Sequence, residues 1–192
     1  MKRRQAIGRI LLISGGALTV YSGYKLWDWN KSPDLGYLEK HKALLASLAE
    51  EIIPTTADAP GAKETGIDDF ILIMLKDCTE RKSQNKFIDG LKELERYCHS
   101  SFNKTFEECS PGEKKQTLRH FEERGKSYGG LMGKIENKFF GRSFFETLKY
   151  LTVQGYCTSE AGATKGLAYS FIPGKFTGCM PLQKGQRSWA TH

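Results

Sequence analysis

The last quarter of the chain, Thr147 to Trp189, constrains the fold more than any other stretch. It continues a helical apolar pattern of Phe140, Phe144, Leu148 and Leu151, which stops at Gly155. Beyond that point glycines at 155, 162, 166, 174, 178 and 185 and prolines at 173 and 181 break any regular element. The segment nevertheless stays apolar through Tyr156, Leu167, Tyr169, Phe171, Phe176, Met180, Leu182 and Trp189. Such side chains need a surface to cover them, and the turns between them leave backbone groups that need partners. Residues 156–192 therefore read as an extended arm that either closes its own domain or lies along another protein.

The chain has 192 residues, 39% of them hydrophobic and 27% charged, which suits one globular domain with a real core. Its net charge of +7 invites a nucleic-acid reading, but the distribution argues against it. Residues 1–31 carry Lys2, Arg3, Arg4, Arg9, Lys25 and Lys31 against Asp28, a net of +5 that leaves only +2 for the rest. Along the helices bases and acids are mixed, whereas a phosphate-binding surface needs its basic residues on one face. No nucleic-acid partner is expected.

Residues 1–30 read as an address. A basic start precedes an uncharged run from Ile10 to Tyr24, too short to span a bilayer comfortably and the right length for the core of a signal peptide. Arg3 and Arg4, with Ile7 beyond Gln5, resemble a twin-arginine signal, which is read by a translocase that carries folded cargo. Lys2 and Ala6 depart from that pattern, and an ordinary secretory signal or a positive-inside anchor is the alternative. The signal is either cleaved or retained; if it is retained, Lys25, Trp27 and Trp29 suit the membrane interface and make an N-terminal anchor.

Residues 31–155 read as a helical domain. Pro33 and Asp34 open a helix with Leu38, Leu45, Leu48 and Ile52 on its apolar face, ended by Pro54. Thr65 and Asp68 are spaced as a capping box for a second helix bearing Ile67, Phe70, Ile71, Met74, Leu75 and Cys78. Phe87, Leu91, Leu94, Cys98 and Phe102 mark a third, and Ser110, Pro111 and Glu113 start a fourth. A fifth begins near Ile135 and carries the phenylalanine-rich face into the arm. The expected fold is all-α, a small irregular bundle of about five helices with a non-periodic C-terminal arm.

Residues arranged for chemistry are scarce. The four histidines (41, 99, 120 and 192) make no H-x-x-x-H pair, and C-x-x-C, a P-loop and a dinucleotide fingerprint are all missing. Glu50 and Glu51 are adjacent carboxylates, but neighbours on a helix point about 100° apart. No catalytic, cofactor or metal residue is therefore assigned; the enzyme alternative, a pocket around Tyr156 and Glu160, has no spacing to support it. Of the five cysteines, Cys98 and Cys109 either close a short loop as a disulfide or are buried thiols, and Cys78 and Cys157 are expected in the core. An odd count in an exported protein leaves one thiol over, and Cys179 in the arm is the candidate for a bond between chains.

Several stretches together resemble one family. They are Leu48 to Thr55 (LAEEIIPT), Pro60-Gly61-Ala62 with Gly66 and Phe70-Ile71, then LKYLTVQGYCTSEAG, IPGKFTGCMPL, Gly185-Gln186 and Trp189-Ala190. Over roughly residues 38–190 the chain resembles the gluconate 2-dehydrogenase subunit 3 family, the small subunits of membrane-associated FAD-dependent sugar and polyol dehydrogenases. The resemblance implies a division of labour. A large flavoprotein of the glucose-methanol-choline type holds FAD and oxidises the sugar, and a cytochrome c or similar carrier takes the electrons. The small subunit holds no redox group, escorts its partner through the twin-arginine translocase and stabilises it in the periplasm, with or without an inner-membrane anchor. On that reading Tyr156, Phe171, Phe176, Cys179, Met180 and Trp189 line the partner interface. A free-standing, membrane-tethered helical binding module is the alternative.

Overall fold

The computed structural model describes residues 31–125, 142–172, 174–175, 178–179, 181–182 and 184–190. In chain order the helices are α1 (Leu35–Lys40), α2 (Lys42–Ile52), α3 (Ile67–Asp77), α4 (Arg81–Phe102), α5 (Pro111–Gly125) and α6 (Phe144–Thr158). A π-helical turn, Gly162–Gly166, follows α6. Among the described residues no strand is formed, and the one extended pairing is an isolated parallel bridge between Ala168 and Trp189. The fold is all-α, as the apolar periodicity implies.

Helix starts follow local chemistry, with two departures from expectation. Asp34 caps α1 through the Tyr37 N–H at 3.2 Å. The helix expected to run on from there breaks at His41, whose ring Nδ1 lies 2.7 Å from the Tyr37 carbonyl and competes for the same acceptor as the backbone. The Thr65–Asp68 box does not form. Gly66 caps α3 instead with a φ of 69°, a conformation only glycine adopts freely, and the Thr65 hydroxyl donates to the Ala62 carbonyl at 2.9 Å. The box at α5 does form, with the Ser110 N–H donating to Glu113 at 2.6 Å. α6 has its own box, Ser143 with Glu146, so this helix starts at Phe144; the start expected near Ile135, and Phe140, lie outside the described residues.

α6 is the element the others share, packing against α2, α3, α4 and α5. At its first turn Phe144 meets Phe87 at a ring separation of 5.0 Å and Phe121 at 6.0 Å, next to Gly90, where a Cβ would come within 2.3 Å of the Phe144 side chain. At its last turn Phe70 of α3 packs against Gly155, where a Cβ would stand 2.6 Å from the ring. Between these two contacts Leu148 and Leu151 join Leu45, Leu48, Ile71, Leu75, Leu91 and Leu94 in one core. Each fully buried Leu or Phe side chain stabilises the fold by about 1.5–3 kcal/mol.

The loop between α2 and α3 is clamped by one carboxylate. Glu50 accepts from the Thr55 N–H and hydroxyl, both at 2.8 Å, and from the Lys63 N–H at 2.9 Å. Partial burial pushes its carboxyl upward, but the Lys63 and Thr55 donors outweigh that and hold it below its ordinary value of 4.5. Glu51, one residue on, faces Lys115 and Arg119 of α5 instead, as the helical geometry requires.

Two outcomes follow for stability. Gly155→Ala should cost about 1–3 kcal/mol in urea unfolding, because the Phe70 ring must move, while Gly112→Ala, which meets open space, leaves stability unchanged or raises it. Glu50→Ala should cost about 2 kcal/mol at pH 7. A carboxylate held low when folded contributes fully above its unfolded value and loses that contribution as pH falls through the folded one. The gap between wild type and Glu50→Ala should therefore narrow below pH 4.5; an equal gap at pH 7 and in strong acid would contradict the charged clamp.

Candidate partner interface

The arm is rooted by the C-terminal end of α6. Gly155 is a packing position and not a helix stop, so the helix continues through Tyr156 to Thr158. Tyr156, expected to anchor a partner, is buried at 7% exposure, and its hydroxyl donates to the Pro60 carbonyl at 2.8 Å. Burial raises its pKa. This is a correction: Tyr156 serves the chain's own loop. The Ser159 hydroxyl oxygen accepts from the Gly162 N–H at 3.0 Å, and the Leu167 N–H donates to the Gly162 carbonyl at 3.0 Å, closing the π-turn. The extended part of the arm thus begins at Leu167, later than the expected boundary at 156.

From Leu167 the chain leaves the body and comes back. The Ala168 N–H donates to the Ser188 carbonyl at 2.8 Å, and the Ala190 N–H to the Ala168 carbonyl at 2.9 Å. Arg187 fixes the return, donating to the Asp58 carbonyl at 2.9 Å through one nitrogen and to the Lys165 carbonyl through another. Together these bonds close residues 168–189 into a hoop. Beside the clasp lies an open basin of about 600 Å³ lined by Thr55, Asp58, Pro60, Glu64, Lys165 and Arg187. Arg187 was not singled out by sequence reasoning. An isolated arginine in a loop carries no signal, and its acceptors are backbone carbonyls, one of them 129 residues away.

The large apolar side chains described on the hoop face outward. Phe171 is 84% exposed, Ile172 78% and Leu182 87%, with Tyr169 and Trp189 about half exposed. Hence the ends of the arm close on the body, while Phe171, Ile172 and Leu182 between them are uncovered. Cys179 is exposed there too. Phe176 and Met180, like Arg3 and Arg4, lie outside the described residues.

The other cysteines divide by burial. Cys98 and Cys109 are buried free thiols, and burial pushes the Cys98 thiol up to about 11, its sulfur 3.8 Å from the Thr117 hydroxyl. Cys78 and Cys157, expected in the core, are both exposed. Cys78 is the residue that ends α3, and Cys157 sits about 100° around the helix from buried Tyr156.

One titratable cluster went unread in the sequence. Tyr37 donates its hydroxyl to Glu95, whose other oxygen lies 3.3 Å from His41 Nε2. The His41 and Tyr37 rings stack at 3.9 Å. Burial and the adjoining carboxylate push the Tyr37 hydroxyl far up, so it stays a donor. The three groups bind one another and staple α1 to α4. Among the described residues no three His, Cys, Asp or Glu side chains are grouped as metal ligands, and no helix is long and apolar enough to cross a membrane.

No curated relative and no solved structure matches the chain. A family profile does: gluconate 2-dehydrogenase subunit 3, over residues 39–174. That span takes in α2 to α6, the π-turn, the loop that receives the arm, and the outgoing limb of the hoop with Phe171 and Ile172. With more than two thirds of its length matched, the chain belongs to the gluconate 2-dehydrogenase subunit 3 family, small subunits of dehydrogenase complexes.

Proposed function

We propose that this protein is the non-catalytic small subunit of a periplasmic, membrane-associated sugar or polyol dehydrogenase, and that it escorts and stabilises a large FAD-dependent subunit of the glucose-methanol-choline type. The observation that carries this reading is the hoop: apolar side chains held out in water by a clasp, on a chain from a family of dehydrogenase subunits. Large apolar residues exposed together mark an association surface. FAD belongs to the partner, and a cytochrome c or similar carrier is the electron acceptor.

The export signal fits the same division of labour. A flavoprotein that takes up FAD before crossing has to cross folded, and the Arg3-Arg4 pair would supply the route for both chains. A retained N-terminus would tether the complex to the inner membrane through Trp27 and Trp29. Cys179, exposed beside the apolar residues of the hoop, is the thiol that a bond to the partner would use. The alternative of a free-standing tethered module draws support from the closed ends of the arm, but leaves Phe171, Ile172 and Leu182 uncovered.

The test is co-purification from the native envelope fraction. Ile172→Ser combined with Leu182→Ser should lower recovery of the large subunit about tenfold or more, since interface energy concentrates in a few packed apolar anchors. The thermal midpoint of the small subunit should stay the same, because both side chains are solvent-exposed. Truncation after Phe171 should abolish recovery. Undiminished recovery with either variant would remove the hoop from the interface.

A further inference from the structure

The charge of the hoop identifies the surface it fits. Residues 161–192 contain Lys165, Lys175, Lys184 and Arg187 and no acidic residue, a net of +4. Residues 1–31 hold +5 of the total +7, so residues 32–160 carry a net of −2. Over the body, five of the basic side chains pair with carboxylates: Lys42 with Asp68 and Asp69, Lys76 with Glu39, Lys104 with Glu113, Arg124 with Glu93, Lys149 with Glu122. The hoop has no carboxylate of its own, and Lys175 and Lys184 stand exposed on the same stretch as Phe171, Ile172 and Leu182.

On the reading of this chain as a dehydrogenase subunit, we infer that the hoop docks into an apolar groove rimmed by carboxylates on the large subunit. The apolar side chains would fill the groove, and Lys175 and Lys184 would meet its rim. Complementary charge of this kind steers encounter and fixes register, so it acts mainly on the association rate. The clasp at Asp58, Lys165 and Ala168 orders the ends of the hoop before any partner arrives, which lowers the entropy lost on docking. An anionic lipid surface would attract the same charges. It is disfavoured because the described residues of the hoop make almost no backbone pairing between its ends, and their N–H and C=O groups need partners that hydrocarbon does not supply.

The experiment measures association of the immobilised full-length small subunit with the large chain that co-purifies with it, stripped and re-added at salt from about 50 to about 500 mM. The wild-type association rate should fall about tenfold or more over that range, and Lys175→Glu with Lys184→Glu should slow association about tenfold at low salt while changing dissociation less. Both substitutions are on exposed side chains, so the helical circular dichroism should be unaltered. Association that is insensitive to salt and to charge reversal would overturn the acidic rim and leave the subunit reading standing. Failure of any large chain to co-purify would overturn both. Capture by phosphatidylglycerol vesicles that is lost on charge reversal, with association to the large chain unchanged, would assign the hoop to lipid instead.

Discussion

Two carbonyls of a single loop receive both ends of the arm. Pro60 accepts the Tyr156 hydroxyl where the arm leaves α6, and Asp58 accepts the Arg187 guanidinium where it returns. That loop is shaped in turn by Glu50, reaching from α2 to Thr55 and Lys63. The position of the exposed hoop therefore depends on a chain of polar contacts that begins in the helical core. A surface built this way is displayed by the fold, whereas a free tail would have to be ordered by its partner.

The core supplies the other half of the constraint. α6 is seated by an aromatic at each end, Phe144 against Gly90 and Phe70 against Gly155, so neither its tilt nor its register is free. Its last turn delivers Tyr156 to the loop, and the π-turn that follows reorients the chain outward. Packing density and polar anchoring thus act in series, with the helices fixing the root and the loop fixing the clasp.

Local periodicity made the helices legible, because apolar residues at three and four residue spacing report a buried face wherever it packs. α4 was read from such spacing alone, and the Ser110 start of α5 from its capping residues. Errors arose where a tertiary contact overrode a local one. His41 breaks a continuous apolar pattern by competing for a carbonyl, Gly66 takes over a cap that Thr65 was spaced to provide, and Gly155 looks like a stop until Phe70 is placed on it. In the site, the exposure of Phe171 could be anticipated from the lack of a regular element, and the role of Arg187 could not, since backbone acceptors leave no trace in residue type. Tyr156 was misassigned for a related reason: an aromatic beside a glycine-rich arm reads the same whether it faces its own loop or another protein.

The account comes down to what a clasped, uncovered apolar hoop is for. Its most direct test is an absorption spectrum of the tagged full-length protein purified from its native envelope fraction, taken with a denaturing gel of the same sample. The account predicts flavin absorption bands together with a co-purifying chain of the size of a large oxidoreductase. A colourless preparation containing this chain alone would contradict it.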